Sequence, residues 1–288
     1  AIESLEQMVR VKGFLLENAR HAAILNADNP GCLSMLPRLQ ARRTGLISMG
    51  QNAEELKQLG GRNPYYCLLE RSAGEDGIVL SDGEAHLPVM PVADIPASFG
   101  GAARFNVLNA MSAIAAAYAL SIDLHDIRAA MGSFLSGPEM TPGRLNFHDN
   151  GRFKVLVDFA HNADGLAELS RFIDQLDVEG RKTLLFAMSG DRSDRGVRAA
   201  AHAVAGHFDT YVCRRYPDPR GRGEREIPDL LAATLLSAGI AEGAINTAYN
   251  PREAVHSTLS KAGSGDLIVI TQGGKELEEV WAAVTASV

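Results

Sequence analysis

The sequence predicts an α/β protein in two parts: a mixed part over residues 1–140 and a Rossmann-like, mainly parallel-sheet domain over residues 141–288. Three observations predict it. Beyond about residue 150, short continuous apolar runs alternate with helical stretches, the pattern of parallel strands covered on both faces. The segment SGPEMTPGR (136–144) holds two prolines and two glycines, which stops a helix and marks a boundary. A length of 288 residues allows about two domains at roughly 150 residues each, and 46% hydrophobic with 22% charged residues is a globular mix.

Residues 3–17 read as a helix, with Leu5, Met8, Val9, Leu15 and Leu16 at apolar positions. A strand at 22–27, a helix near 31–41 and a strand near 45–49 follow. Two β-like stretches, 64–70 and 77–90, come next, the second turning at Asp82-Gly83. An Ala-rich helix over 102–120 places Leu108, Met111, Ile114, Ala115 and Tyr118 on one stripe, and a further helix covers about 123–135. After the boundary a hairpin turns at Asn150-Gly151. Strands at 155–159, 183–188, 209–213, 244–249 and 266–271 alternate with helices at 163–176, 195–206, 224–238 and 251–262, and a last helix spans 275–286. No internal repeat or low-complexity tract is visible.

Composition narrows the function. A net charge of −7 argues against a broad basic face for duplex nucleic acid. No apolar run approaches the ~20 residues that cross a bilayer, and charges interrupt the N-terminal apolar stretches where a signal peptide would have none. Cys32, Cys67 and Cys213 lie far apart, which excludes a disulfide framework and fits a reducing cytoplasm. Neither nucleic acid nor membrane is expected as a partner. The sequence leaves oligomeric state open, a homo-oligomer included.

In an open parallel sheet, ligands bind beyond the carboxyl ends of the strands. The segments there are polar and arginine-rich: Asp158 to Asn162 with His161, Ser189 to Arg195 with Asp191 and Arg192, Arg214 to Gly223 with Asp218 and Arg220, and Gln272 to Glu276 with Lys275. Guanidinium forks at such a rim suit phosphate or carboxylate. Any one of these loops, taken singly, could equally be a solvated turn that caps a helix. Lys12 lies at i+7 from Leu5, on the same stripe as Met8, Val9, Leu15 and Leu16, where part-burial would favour a reactive neutral amine, able to form a carbamate that binds magnesium; a snorkelling lysine is the simpler alternative. Among the histidines, only His161 follows a strand at that rim. No G-x-x-x-x-G-K-[ST] occurs anywhere, so a triphosphate cradle is missing from these 288 residues.

These segments together resemble the Mur ligase superfamily nearly end to end. VKGFLLENARHAAILNADNP (11–30) is similar to the family's lysine-bearing helix and NADDP strand. FNVLNAMSAIAAAYAL (105–120) is similar to its HNxxNALAAIA helix, although Phe105 stands where the family has histidine. TPGRLN, DFAHNADGL (158–166) and SGDRSDRGVR are similar to its PGR, DYAHNP and GxGGDRD…R segments. RYPDPRGRGEREIPDLL (215–231) is similar to the ligase module of the cyanophycin synthetase branch, whereas Gln272 to Glu276 only partly matches the GKGHE of other members.

The resemblance implies that residues 1–140 are the C-terminal part of a Mur ligase central ATPase domain without its P-loop, followed by the C-terminal domain. It implies a piece of a larger ATP-dependent ligase, inactive by itself. Its reaction phosphorylates a carboxylate acceptor, and an amine attacks the acyl phosphate; in this branch arginine joins aspartate side chains. ATP and Mg2+ are the implied cofactors. Asn106 and Asn109 would contact adenine, Arg144 and Asp158 the ribose side, and His161 and Asn162 the phosphate end. Lys12 would be the carbamoylated lysine near magnesium. Asp218 and Arg220, with Asp191, Arg192 and Lys275, would serve the amino acid. A peptidoglycan Mur ligase, a folylpolyglutamate synthase, or a non-catalytic binding domain derived from a ligase are the alternatives.

Overall fold

The computed structural model describes residues 4–82, 85–271 and 276–287. The chain forms two compact units, Ala1–Leu135 and Ser136–Val288.

The first unit runs α1 (Leu5–Asn18), β1 (Ala22–Asn26), α2 (Pro30–Leu33), β2 (Arg43–Ser48), α3 (Ala53–Lys57), β3 (Pro64–Ser72), β4 (Glu75–Ser81), β5 (His86–Pro91), α4 (Arg104–Ala119) and α5 (Leu124–Ser133). Its five strands lie in chain order, parallel from β1 to β3 and antiparallel from β3 to β5. Successive side chains of β3 point to opposite faces. Tyr65 and Cys67 pack beneath α4 with Met111 and Ile114. Tyr66 and Leu68 join Leu25, Leu46 and Leu56 on the other side. The Tyr65 hydroxyl donates to the Ala115 carbonyl at 2.9 Å, so its one polar atom is satisfied inside the core. Gly45 makes this possible, because a Cβ there would lie 2.6 Å from the Tyr65 ring.

The helix expected near 31–41 is instead the four-residue α2 and a separate 3-10 turn, Leu36–Arg38. Pro37 has no N–H to continue an α-helix, and its ring blocks the preceding turn. Unanticipated α3 is set by a capping box in which Asn52 and Glu55 satisfy each other's backbone N–H groups. The expected turn at Asp82-Gly83 includes Gly83, which lies outside the described residues; the strands on either side pair antiparallel, Ser81 opposite His86.

The second unit runs β6 (Asn146–Asp149), β7 (Lys154–Asp158), α6 (Ala163–Asp174), β8 (Lys182–Phe186), α7 (Asp194–Val204), β9 (Thr210–Arg214), α8 (Glu226–Ser237), β10 (Ile245–Ala248), α9 (Pro251–Ser260), β11 (Leu267–Thr271) and α10 (Leu277–Thr285). The sheet order is β10-β9-β8-β11-β7-β6, all parallel except the antiparallel edge strand β6. Gly151, at φ +82°, takes the left-handed position in the β6–β7 turn. Val155, Val157, Leu185, Ile268 and Ile270 pack against α9 and α10 on one face. The opposite face carries α6: Phe147, paired with Leu156, meets the Phe172 ring of α6 edge-on at 6.3 Å. Among the described residues no helix is long and apolar enough to cross a membrane.

Candidate functional site

The topology of the second unit creates a crevice. Strands β7 and β8 hand the chain to α6 and α7, and β11, between them, hands it to α10 on the other face. Segments leaving neighbouring strands in opposite directions open a gap at their carboxyl ends, where ligands of such sheets bind.

At the β7 end stands Asp158, 8% exposed. Its carboxylate accepts the backbone N–H groups of Leu145 (3.0 Å) and Ala160 (2.8 Å). Burial raises its pKa, while these two bonds, Arg144 and His161 pull it back. The Leu145 bond fixes the segment before β6, where Leu145 holds φ +47° and Asn146 ties Gly143, Thr141 and Arg144 by their backbones. The result holds Arg144, exposed, with its guanidinium 4.7 Å from the centroid of the Phe159 ring. His161 stacks on Phe159 at 4.7 Å, and its Nδ1 lies 2.8 Å from the Phe159 carbonyl. A carbonyl only accepts, so Nδ1 carries the proton and Nε2 is the acceptor of the neutral ring. Asn162 caps α6, its side-chain oxygen accepting Gly165 N–H at 2.8 Å. Arg144, Asp158, His161 and Asn162, separated by up to eighteen positions, therefore form one local group.

The segments after β8 and β9 interlock. Arg220 donates to Asp191 at 2.7 Å, and Ser189 donates to the same carboxylate. Together they hold the Asp191 carboxyl below the usual range, the Ser189 bond contributing most. Asp218 accepts the Arg220 backbone N–H at 3.0 Å and shapes its own turn. Arg192 is exposed, and its guanidinium has no hydrogen-bond partner among the described residues. Arg215 pairs with Glu224 at 2.6 Å, so neither it nor Arg222 neutralises Asp218.

Two groups near this rim carry stronger electrostatics than sequence reading assigned them. Arg214 is 1% exposed at the end of β9 and donates to the Thr271 carbonyl at 2.9 Å. Burial lowers its pKa to about 10, which leaves it charged at neutral pH, and Glu276 counters the shift. Burial raises the Glu276 carboxyl in turn, with Arg214 opposing. Both line a cavity of about 540 Å³ beside α9 and α10. An arginine closing an apolar strand was the available signal; its burial was not.

In the first unit, Asn106 is half-buried in the first turn of α4 and donates to the Ala97 carbonyl at 2.7 Å. Asn109, exposed, donates to the Asn106 side-chain oxygen at 3.2 Å. Lys12 is exposed, which corrects the expected part-burial. The inward stripe of α1 is buried Gly13 with half-buried Val9 and Leu16, which meet the α2 side of the core. Gly13 permits that approach, since a Cβ there would lie 3.3 Å from the Met35 sulfur. The stripe of Leu5, Met8, Lys12 and Leu15 faces outward. Among the described residues no three His, Cys, Asp or Glu side chains gather as a metal site. Lys275 lies outside the described residues.

Comparison with known proteins supplies the family. Residues 143–273 match the family described as Mur ligase, glutamate ligase domain. Cyanophycin synthetase of Crocosphaera subtropica is 29% identical over 271 residues, 93% of this chain and 30% of that protein. UDP-N-acetylmuramoyl-L-alanyl-D-glutamate–2,6-diaminopimelate ligase of Geobacter metallireducens is 30% identical over 208 residues, 68% of this chain and 40% of that one. This chain thus spans less than a third of the cyanophycin synthetase it matches. E. coli FolC, solved with DHPP and ADP, shares the fold at TM-score 0.66 and 17% identity, covering 99% of this chain and 57% of that one. The murein peptide ligase Mpl of Psychrobacter arcticus gives TM-score 0.58 at 18% identity, covering 95% of this chain and 59% of that one. Residues 143–273 thus carry the Mur ligase family's ligase domain, and ligases of that superfamily align along nearly the whole chain.

Proposed function

We propose that this chain serves an ATP-dependent ligase that joins arginine to the side-chain carboxylate of an aspartate. A carboxylate oxygen attacks the γ-phosphorus of ATP, ADP leaves, and the acyl phosphate forms. The amine then attacks the acyl carbon and phosphate departs, leaving an amide. The single observation that carries the reading is the rim of the second unit, where Asp158, His161 and Asn162 stand at one strand end and Asp191, Arg192 and Arg220 at the next loops.

Under this proposal residues 1–140 are the C-terminal part of a central ATPase domain and residues 141–288 the C-terminal domain. Asn106 and Asn109 serve adenine. Arg144 and Asp158 hold the ribose side of the nucleotide; Asp158 does so through the Leu145 and Ala160 backbones it already fixes. His161 offers Nε2 toward the phosphate end, and Asn162 presents the amino end of α6, whose free N–H groups favour anions. Arg192 supplies a cation for the carboxylate of the incoming amino acid, and Asp218, Arg220 and Lys275 complete that side. ATP supplies the phosphoryl group that activates the acceptor. Lys12 as a magnesium-binding carbamate rests on the resemblance alone, and no step is routed through it. The phosphate cradle comes from outside these 288 residues, since none of them forms the P-loop motif. The reaction is placed in the cytoplasm.

Amino-acid-dependent ATP hydrolysis tests the reading, measured on the full-length protein with an aspartate-bearing acceptor across the common amino acids. Arginine is expected to support the fastest phosphate release. A preference for glutamate would replace it with a folylpolyglutamate or muropeptide reading. The 288 residues alone are expected to turn over negligible ATP; a robust ligase rate from them would overturn the need for an external cradle.

A further inference from the structure

Arg222 has no role in the reaction as derived so far, yet it holds more acceptors than any other rim side chain described above. Its guanidinium donates through Nε to the Gly190 carbonyl at 3.0 Å and through Nη2 to the Arg192 carbonyl at 2.7 Å. Its Nη1 donates to Asp194 and Glu226, both at 2.7 Å. These four acceptors belong to the loop after β8, the first residue of α7 and the first residue of α8. The side chain is 18% exposed, and its bond to Asp194 is the largest influence raising its pKa. Its own backbone closes the turn that carries Arg220, Arg222 N–H donating to the Pro219 carbonyl at 3.2 Å.

The fit of the two loops is steric as well as polar. A Cβ at position 190 would lie 1.9 Å from the Pro219 oxygen, so glycine alone lets the backbones meet. Arg220, at φ +46°, and Gly221, at φ +88°, turn the second loop onto the first.

We propose that Arg222 is a positioning residue for the amino-acid subsite, clamping the loop after β9 onto the loop after β8. The clamp sets the spacing between the free guanidinium of Arg192 and the Asp218–Arg220 turn, and so the length of amino acid that fits between them. A guanidinium is needed because the acceptors lie in several directions around one plane, which a lysine ammonium reaches only in part. The assignment rests on the ligase reading above.

The test uses the full-length protein and steady-state ATP hydrolysis with arginine varied. Arg222→Ala is expected to raise the KM for arginine at least tenfold and leave the KM for ATP within twofold. Arg222→Lys should recover part of the loss, and Gly190→Ala should reproduce the arginine effect by a different route. Hydrogen exchange should show residues 189–193 losing protection in Arg222→Ala while the β8 and β9 strands keep theirs. An unchanged arginine KM in Arg222→Ala, or an equal rise in both KM values, overturns the positioning role. Global loss of strand protection in both Arg222 variants assigns Arg222 to folding and also overturns it. A wild-type protein with no amino-acid-dependent turnover overturns the ligase reading itself, and the clamp's substrate role with it.

Discussion

The two units cover both faces of a sheet with helices, yet they use long-range polar side chains differently. In the first unit several such side chains end on backbone carbonyls: Tyr65 on Ala115, His21 on Ala119, Arg128 on Pro88 and Val89. In the second they gather at the strand ends: Asp158 on Leu145 and Ala160, Arg220 on Asp191, Arg222 on four groups. The first pattern holds a core together. The second shapes loops and leaves charged groups presented at a crevice, which is what recognition of a charged substrate requires. The cores themselves are comparable, so the contrast lies in the polar layer alone.

The largest expected effect tests that equivalence of cores. Phe172→Ala in the second unit and Ile114→Ala in the first should each cost about 2–5 kcal/mol in urea unfolding, both side chains being fully buried. A cost below about 1 kcal/mol in one unit only would break the equivalence. Next is Asp158→Asn, which leaves one of two backbone donors without an acceptor and should cost about 1–3 kcal/mol at neutral pH. Because burial raises the Asp158 pKa, the folded state keeps its proton to higher pH than the unfolded chain does. The Asp158 contribution to stability should therefore fall as pH rises through the carboxylate range, a component that Asp158→Asn lacks.

Tyr65→Phe sharpens the other side of the contrast, with an expected loss of about 1 kcal/mol from one interior hydrogen bond. Burial pushes the Tyr65 phenol up to about 12. The stability tied to the neutral phenol is complete below the unfolded value near 10 and is lost as pH rises toward 12, so the variant should resist alkaline unfolding better. An identical alkaline midpoint would show the phenol to be of no consequence. The smallest effect belongs to the exposed Arg220–Asp191 pair. Asp191→Asn should change stability by less than about 1 kcal/mol, and added salt should erase the difference. Since hydrogen bonding lowers the Asp191 pKa, whatever it contributes is present at neutral pH and lost as pH falls through its folded value.

Much of the second unit was legible because its strands are short, apolar and evenly spaced by amphipathic helices; β7, β8, β9 and β11 fall within two residues of their expected bounds. That Asp158, His161 and Asn162 stand together was legible for a related reason: they follow one strand end, where topology does the gathering; Arg144 was named only through the PGR-like segment. The region around Pro37 was misjudged because apolar spacing alone does not register a missing N–H. Lys12 was misjudged because α1 has two apolar stripes, and only packing decides which turns inward; the glycine at position 13, easily passed over, marks the buried one. Arg222 could not be singled out among the five arginines of residues 214–225, since two of its acceptors are the backbone carbonyls of a loop some thirty residues earlier.

The outward stripe of α1 has a consequence for handling the polypeptide. Leu5, Val11, Phe14 and Leu15 are 76%, 56%, 66% and 71% exposed on one short helix. Water-ordering salts such as sulfate are excluded from protein surface and raise the free energy of exposed apolar groups. Ammonium sulfate should therefore precipitate the 288-residue chain at a lower concentration than a variant with Leu5, Phe14 and Leu15 changed to glutamine, and chloride at equal ionic strength should separate the two far less.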